Sequence, residues 1–356
     1  MHIDTSGRRG RDLCLQLSTL AGAELYYLPE SREVLLRVRH ELSDGIGSIM
    51  LLNEFLKILR GKCFATNEYN PGKDVERLPP SLPQIMHAKP PTAEIIKKGQ
   101  GIAAILNTPV MGLQRRLKSS SIPQQSQRFE FVFNEDETSI LLRKCKTNGI
   151  TITHATTVAA SKALLDQMKV EHGSFGTVFY TSLRDLSPNP YNQPTYALSN
   201  QISVKMAIFP ASKREDFFKA ARRIKQEYLS WKDDEDNVAT QGPIYDALAG
   251  TAMGDIVISK TSAEVNTDLN PVVVSGIGLT EKYLTESVED FWFSVSAGDF
   301  GGTLYVYTAQ SKLRLVFVYN SRFYAVENME KYVHRVVEEL NIGLDISLSA
   351  TGTTYS

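Results

Sequence analysis

The chain has no long hydrophobic run, and this absence excludes one class of protein at the outset. None of its apolar stretches approaches the roughly 20 residues that a membrane-spanning helix needs. The segment from Met1 to Gly10 has no apolar core of the kind found in secretory signal peptides. We therefore expect a soluble, cytoplasmic protein without a membrane partner.

Cysteine is scarce, and neither sign of charge is in excess. Cys14, Cys63 and Cys145 lie far apart and are odd in number, which indicates neither a disulfide framework nor a thiolate metal site. Lys and Arg total 39 against 40 Asp and Glu, for a formal net charge of -1. Because no basic stripe stands out, nucleic acid is not expected as a partner.

The short motifs of several enzyme classes are also missing. The sequence contains no Gly-x-Ser-x-Gly turn, no phosphate-binding P-loop, no Rossmann glycine fingerprint and no His-Glu-x-x-His helix. Serine hydrolase, nucleotide-binding and zinc-peptidase functions are therefore not indicated, and we expect neither a metal nor a bound cofactor.

What the chain does have is strand-like and helical patterning on both sides of a polar segment. With 356 residues, of which 42% are hydrophobic, it is long enough for two lobes. Residues 119–127 have the composition of a linker, which predicts an N-terminal lobe over 1–127 and a C-terminal lobe over 128–356. Strands mixed with helices in both parts predict an α/β or α+β fold.

The hydrophobic periods predict individual elements along the chain. Strands are expected at 24–27, 34–38, 129–133, 177–182, 201–209, 272–275, 291–296, 303–308 and 313–319. Helices are expected from Gly45 to Gly61 and at 93–117, 135–146, 154–167 (with Thr153 as N-cap), 214–231 and 326–340.

The most informative motif is His40-x-x-x-Asp44-Gly45, which lies where a strand gives way to a helix. Even-numbered residues 34 to 38 are apolar, and extending this alternation places the His40 imidazole on the buried side. An imidazole held in place can act as a general base near neutral pH. A histidine at the end of a strand is also common as a hydrogen-bonded core residue, and these six residues leave both interpretations open.

Two further segments are open to more than one interpretation. Arg184 follows a predicted strand and is either an ordinary surface charge or the bidentate partner of a carboxylate from elsewhere in the fold. Asp299-Phe300-Gly301-Gly302 precedes the last predicted hairpin and is by itself a turn signal.

Together these segments resemble the CoA-dependent acyltransferase superfamily, which includes BAHD acyltransferases, nonribosomal-peptide condensation domains, polyketide-associated acyltransferases and fungal trichothecene-type O-acetyltransferases. His40-x-x-x-Asp44-Gly45 resembles its active-site motif, Ser182-Leu183-Arg184 its Leu-Arg rim, and Ala197-Leu198-Ser199-Asn200 its Gly-Asn strand start. Asp299-Phe300-Gly301-Gly302 is similar to the BAHD motif Asp-Phe-Gly-Trp-Gly without its Trp. The resemblance covers most of the chain. It implies a two-lobed chloramphenicol-acetyltransferase-like fold with mixed sheets and a tunnel between the lobes.

The resemblance also implies a role for each residue. His40 would be the general base, and Asp44 would pair with Arg184 as structural support rather than as a proton relay. Gly45 would leave room beside the imidazole. The residues that would contact the acceptor or acyl-CoA are Asn200, Asp299, Phe300 and Gly301.

The sequence departs from the family pattern in two places. Arg39 stands where two-histidine members have their first His, and the alternation turns it away from the interior. Family members usually place the motif histidine much later in the chain than position 40. We therefore expect an N-terminal lobe that lacks its first strand and helices.

The function implied by the resemblance is transfer of an acyl group, expected to be acetyl, from acyl-CoA to a hydroxyl of a hydrophobic small molecule. Acyl-CoA is then a co-substrate, the alcohol acceptor is the other partner, and we expect a monomer that serves secondary metabolism. Two alternatives stay open. One is a condensation-like domain that takes its acyl group from a carrier protein, and the other is a protein that keeps the fold without catalysis.

Overall fold

The computed structural model describes residues 2–17, 20, 22–62, 78–105, 108–116, 125–249, 269–296, 302–348 and 351–355. The helices in these ranges are α1 (Gly10–Gln16), α2 (Gly45–Leu59), α3 (Leu82–Ile85), α4 (Ala93–Ala104), α5 (Glu135–Thr147), α6 (Ile152–Gln167), α7 (Phe217–Lys232), α8 (Asn237–Ala249) and α9 (Val326–Leu344). The strands are β1 (His2–Ile3), β2 (Ala23–Leu28), β3 (Glu33–Val38), β4 (Leu113–Gln114), β5 (Ser126–Val132), β6 (His172–Ser182), β7 (Ile202–Ser212), β8 (Leu269–Asn270), β9 (Val273–Leu279), β10 (Thr303–Ala309), β11 (Lys312–Asn320) and β12 (Thr351–Tyr355).

The chain divides into two compact units, each assembled from three separate segments. Unit 1 comprises Met1–Pro90, Thr181–Ser203 and Leu279–Phe291. Unit 2 comprises Pro91–Tyr180, Val204–Gly278 and Trp292–Ser356. The boundary predicted between residues 127 and 128 falls inside unit 2, because β5 pairs with both β11 and β12 and so belongs to one continuous sheet.

Unit 1 contains a three-stranded sheet in the order β1-β2-β3. β2 and β3 form an antiparallel hairpin in which Ala23 lies opposite Val38 and Leu28 opposite Glu33, while β1 runs parallel to β2. The predicted strand pair is therefore confirmed. The chain leaves the sheet after Val38 and enters α2 at Gly45, so the histidine motif occupies the connection between them.

Unit 2 is built around a five-stranded sheet in the order β12-β5-β11-β10-β9. The strands β10 and β11 form the predicted hairpin, with Thr303 opposite Val318. α6 packs against α7 and α9 and is buried along almost its whole length, because four alanines allow close approach of its neighbours. The core of this unit combines these helices with the sheet.

The start of α6 corrects one sequence prediction. Its N-cap is Thr151, not Thr153, and Thr151 and His154 form a capping box in which each side chain pairs with the backbone N–H of the other. His154 is 6% exposed, and burial, together with the nearby charge of Lys225, lowers its pKa to about 4. The folded protein therefore keeps this imidazole neutral.

Other differences lie at element boundaries. The helix predicted over 93–117 ends at Ala104, and residues 113–114 form a short strand instead. α8 was not predicted, because Pro243 interrupts its pattern. Residues 291–296 form no strand. Across the described ranges, no helix combines the length and apolar character needed to cross a bilayer.

Candidate functional site

His40 lies in a solvent-exposed turn rather than on the buried face that the strand pattern predicts. β3 ends at Val38, so its two-residue period does not extend to position 40. Within the strand, Leu35 is the buried apolar residue, while Val34, Leu36 and Val38 are half-buried. The prediction that the imidazole faces the core is wrong for this reason.

The ring of His40 is oriented by the backbone of its own turn. Its Nδ1 lies 3.1 Å from the carbonyl oxygen of Ser43. Because a carbonyl oxygen can only accept a hydrogen bond, this contact requires the proton of the neutral imidazole on Nδ1. The lone pair is then on Nε2, the nitrogen that can accept a proton from a ligand.

Asp44 is buried and faces away from solvent, with an exposed fraction of 2%. Its carboxylate accepts hydrogen bonds from the backbone N–H of Gly47 and of Gln201, each at 2.8 Å. It also accepts from Arg184, whose Nε lies 3.1 Å from both oxygens and whose Nη2 lies 3.0 Å from Oδ2. These donors occupy both oxygens of the carboxylate, while the His40 ring bonds to the carbonyl oxygen of Ser43 instead.

Arg184 is buried as deeply as its partner, at 1% exposed, so it is not the surface charge that one sequence interpretation allowed. Besides the carboxylate it donates to three carbonyl oxygens of the following loop. They belong to Tyr196 (3.3 Å from Nη1), Ala197 (3.2 Å from Nη2) and Ser199 (2.6 Å from Nη2). The guanidinium thus joins the Asp44 turn to the loop between β6 and β7.

The start of α2 depends on the same carboxylate. Asp44 is the N-cap of this helix, and the hydrogen bond from Gly47 satisfies one of the free N–H groups of the first turn. Gly45 is the first helical residue and is half-buried. The helix ends at Leu59, and Gly61 follows with φ +67, as expected for a C-terminal glycine.

Gly47 is a residue of the site that the sequence analysis did not identify. A Cβ atom at this position would lie 2.3 Å from the Ala197 carbonyl oxygen, 2.3 Å from Arg184 Nη2 and 2.4 Å from Ser43 Oγ. Only glycine allows this approach of the helix to the loop. The available signal was a second glycine two positions after the motif.

Gln201 is a second residue that was missed. It is fully buried, and its side-chain amide accepts from Ser187 Oγ at 2.7 Å and donates to the Tyr191 carbonyl at 2.9 Å and to Ser199 Oγ at 2.8 Å. Its backbone N–H binds Asp44. Gln201 therefore joins both ends of the loop to the motif, and no local pattern in the sequence indicates this.

The remaining predicted residues have mixed outcomes. Asn200 is exposed, and its Nδ2 lies 3.4 Å from the carbonyl oxygen of His40. Arg39 is exposed and forms an ion pair with Glu41. Three residues predicted to contact acyl-CoA or the acceptor lie outside the described residues; they are Asp299, Phe300 and Gly301.

The far part of α2 is attached to another distant segment of unit 1. Asn53 Oδ1 accepts from the backbone N–H of Thr285 at 2.8 Å and of Glu286 at 3.0 Å. Glu286 in turn forms ion pairs with Arg60 and Lys62 just beyond the helix. Two segments remote in sequence therefore hold the helix that follows the motif.

In the part of the chain that the structure describes, no group of three or more His, Cys, Asp or Glu residues is placed to hold a metal ion. The arrangement instead supports proton transfer: an exposed imidazole with an oriented ring, on a turn fixed by a buried ion pair.

Comparison with known proteins gives likenesses of sequence and of fold, while no family model matches the chain. The chain is 26% identical over 339 residues to the O-acetyltransferase pigM of Monascus ruber, an alignment covering 90% of this chain and 64% of that protein. It is 21% identical over 345 residues to the azaphilone biosynthesis cluster protein M of Aspergillus terreus, covering 92% of this chain and 81% of that protein. The chain thus spans less than two thirds of the length of pigM.

Among solved structures, the TRI3 trichothecene 15-O-acetyltransferase of Fusarium sporotrichioides has a similar fold. The TM-score is 0.74 at 16% sequence identity, over 95% of this chain and 75% of that one. These likenesses confirm that the chain resembles the CoA-dependent acyltransferase superfamily and has its two-lobed, chloramphenicol-acetyltransferase-like α/β fold.

Proposed function

We propose that this protein is an O-acyltransferase that moves an acyl group, acetyl in the first instance, from acyl-CoA to a hydroxyl of a hydrophobic small molecule. The observation that carries the proposal is the state of His40. Its Nδ1 is engaged by the Ser43 carbonyl, and its ring is exposed, so Nε2 is available as a base. The acetyltransferase names of pigM and TRI3 support the class of reaction.

The proposed reaction needs a single proton acceptor. Nε2 of His40 takes the proton of the alcohol as its oxygen attacks the thioester carbonyl carbon. The tetrahedral intermediate collapses with cleavage of the C–S bond, and the imidazolium returns the proton to the departing thiolate. The products are an ester and free CoA, and the imidazole is neutral again. Orientation of the two substrates would supply much of the rate.

Asp44 has a supporting role in this proposal. Its carboxylate is occupied by Arg184 and by two backbone N–H groups, and the atom that holds the His40 ring is a carbonyl oxygen. Asp44 therefore keeps the turn in place, and the proton moves on His40 alone. This distinguishes the site from a triad in which a carboxylate orients the base.

The biological setting is also part of the proposal. One relative is named for an azaphilone biosynthesis cluster, and TRI3 is named for a trichothecene. These names support a place in secondary metabolism, with an apolar alcohol as acceptor.

The test is turnover by the purified full chain. With acetyl-CoA and a hydrophobic alcohol such as 1-octanol, we expect release of free CoA thiol and formation of octyl acetate, detected by mass spectrometry. The variant His40→Ala should lose about 10² to 10⁴-fold in kcat, the usual contribution of a general base. Because His40 is exposed, the thermal unfolding of this variant should match that of the wild type.

The control is His172→Ala, which removes another exposed histidine, at the start of β6, and should keep the wild-type rate. Equal background thiol release by wild type and His40→Ala would contradict the proposal. If only an acyl group on the phosphopantetheine arm of a carrier protein is used and acetyl-CoA is inert, the condensation-like alternative is correct instead.

A further inference from the structure

Two segments of unit 1 lie side by side at the His40 turn. The side chain of Asn200 reaches the carbonyl of His40 at 3.4 Å, and the hydroxyl of Ser43 reaches the carbonyl of Ala197 at 2.8 Å. Residues 40–43 and residues 197–200 therefore run in opposite directions, with position 40 beside 200 and position 43 beside 197. The residues between these two contacts are therefore neighbours across the segments.

A leucine lies in each of these intervals, and both are in solvent. Leu42 is 42% exposed and Leu198 is 46% exposed. The residues beside Leu198, Ala197 and Ser199, are buried, whereas Asn200 is exposed like the leucine. Leu198 thus shares the solvent side of its segment with the residue that contacts the His40 backbone.

We infer that Leu42 and Leu198 form the surface that receives the apolar part of the acceptor beside the reacting hydroxyl. This inference rests on the proposed function for the identity of the ligand as an alcohol. Leucine side chains offer no hydrogen bond, so they favour a ligand through burial of apolar area. The nearby charges of Arg39 and Glu41 are paired with each other. An acceptor with an aliphatic chain gains from this surface, whereas a short or strongly polar alcohol does not.

Kinetics with a series of straight-chain primary alcohols, from butanol to decanol, test the inference. For the wild type, kcat/KM should rise with chain length. In Leu42→Ser and Leu198→Ser this rise should flatten, with KM for decanol raised about tenfold, while KM for acetyl-CoA and the limiting kcat stay the same. A merely structural role of the leucines would change all three parameters together.

The matched control is Ile3→Ser, which removes a more exposed residue of the same unit, 63% exposed on β1. Ile3 pairs with Tyr27, and Tyr27 lies opposite Val34, which is about 13 Å along β3 from the end of the strand at Val38, at 3.3 Å per residue. This variant should keep the wild-type dependence on chain length. An unchanged dependence in both leucine variants would overturn the inference.

A binding measurement separates this inference from the proposed function. In protein with labelled leucine methyl groups, the resonances that vanish in Leu42→Ser and Leu198→Ser identify the two residues. Titration with octanol, without acetyl-CoA, should shift them. Shifts in a protein that shows no turnover would support the surface and contradict the proposed function. Absence of shifts at octanol saturation would overturn the surface, whatever the turnover.

Discussion

Asp44 shows how much one buried carboxylate can hold together. It caps α2, pairs with Arg184 and accepts from the backbone of Gln201, so its two oxygens accept from three separate places in the chain. Because both members of the pair are 2% exposed or less, removing one charge leaves the other buried without its counter-charge. The ion pair stabilises the fold, and in the proposed mechanism it acts on catalysis only by keeping the His40 turn in place.

Asp44→Asn should therefore lower the free energy of unfolding by about 3–5 kcal/mol, the range for breaking a buried pair. Denaturant unfolding followed by circular dichroism measures this loss. The control is Asp246→Asn on the exposed face of α8, where we expect a change within about 0.5 kcal/mol. A fully stable Asp44→Asn protein would show that Arg184 does not depend on this carboxylate.

His154 gives a prediction about pH. In the folded protein its pKa is lowered to about 4 from 6.5, so between these values the unfolded chain binds a proton that the folded chain does not. Stability should therefore fall as the pH decreases from about 6.5 to about 4, by about 3 kcal/mol in total, and this contribution should level off below that window.

The variant His154→Gln tests the assignment, because glutamine at this position preserves a capping box but does not titrate. Unfolding measured at pH 7 and pH 4.5 should differ less in the variant than in the wild type. If both proteins lose the same stability over this range, the acid sensitivity comes from other groups.

At the scale of the element, α2 is positioned by close approach of its first turn to the loop between β6 and β7. Gly47→Ala should prevent that approach, because the new Cβ atom would lie 2.3 Å from both a carbonyl oxygen and a guanidinium nitrogen. We expect mostly insoluble protein, or a loss of several kcal/mol as in severe overpacking.

The comparison variant is Gly101→Ala within α4, where an added Cβ meets nothing within 4 Å. Here we expect a gain of up to about 1 kcal/mol from helix propensity. Soluble expression and thermal melting of the two variants decide the matter. Equal behaviour of both would mean that α2 can move away from the loop at little cost.

Element prediction from sequence succeeded where the apolar pattern agreed with the signals at its ends. The strands β10 and β11 are rich in apolar and aromatic residues on either side of a short turn, and α2 has both a capping residue and a terminal glycine, so these elements were predicted nearly to their ends. It failed where a pattern was carried past the end of its element, as at His40. α8 was missed because Pro243 lies inside it, and a proline within a segment argues against a helix.

Site prediction from sequence had a different boundary. Asp44 and Arg184, which the resemblance pairs, do lie together in the structure. Gln201 was missed because its backbone N–H binds Asp44, which lies 157 positions earlier in the chain. Gly47 was missed because the groups that approach it, Arg184 and the Ala197 carbonyl, come close only in the folded protein. The second glycine after the motif is visible in the sequence, but no local pattern identifies the distant residues that either Gly47 or Gln201 contacts.

At the scale of the whole molecule, Cys145 reports the integrity of unit 2. It is 1% exposed within the main hydrophobic core, and burial raises the pKa of its thiol to about 12. Both effects suppress the thiolate that reacts with thiol reagents.

A Cys14→Ser/Cys63→Ser variant, which retains Cys145 alone, should react at least about a thousandfold more slowly in buffer than in denaturant, because reaction requires opening of a core with ordinary domain stability. The labelled fraction against denaturant concentration should coincide with the unfolding curve from circular dichroism. Reaction within seconds in native buffer would show that this core opens locally around α5.

The contacts of Asp44 also imply an order of events during synthesis. Its partners Arg184 and Gln201 are 140 and 157 positions further along the chain, and the segment that binds Asn53 is more than 230 positions further. A ribosome must therefore translate at least 157 residues beyond Asp44 before all contacts of the turn bearing His40 can form, which makes closure of this turn depend on long-range contacts. In nascent chains that stop before position 184, Asp44 has no Arg184 with which to form its buried ion pair. We expect such chains to stay incompletely folded and to bind chaperones.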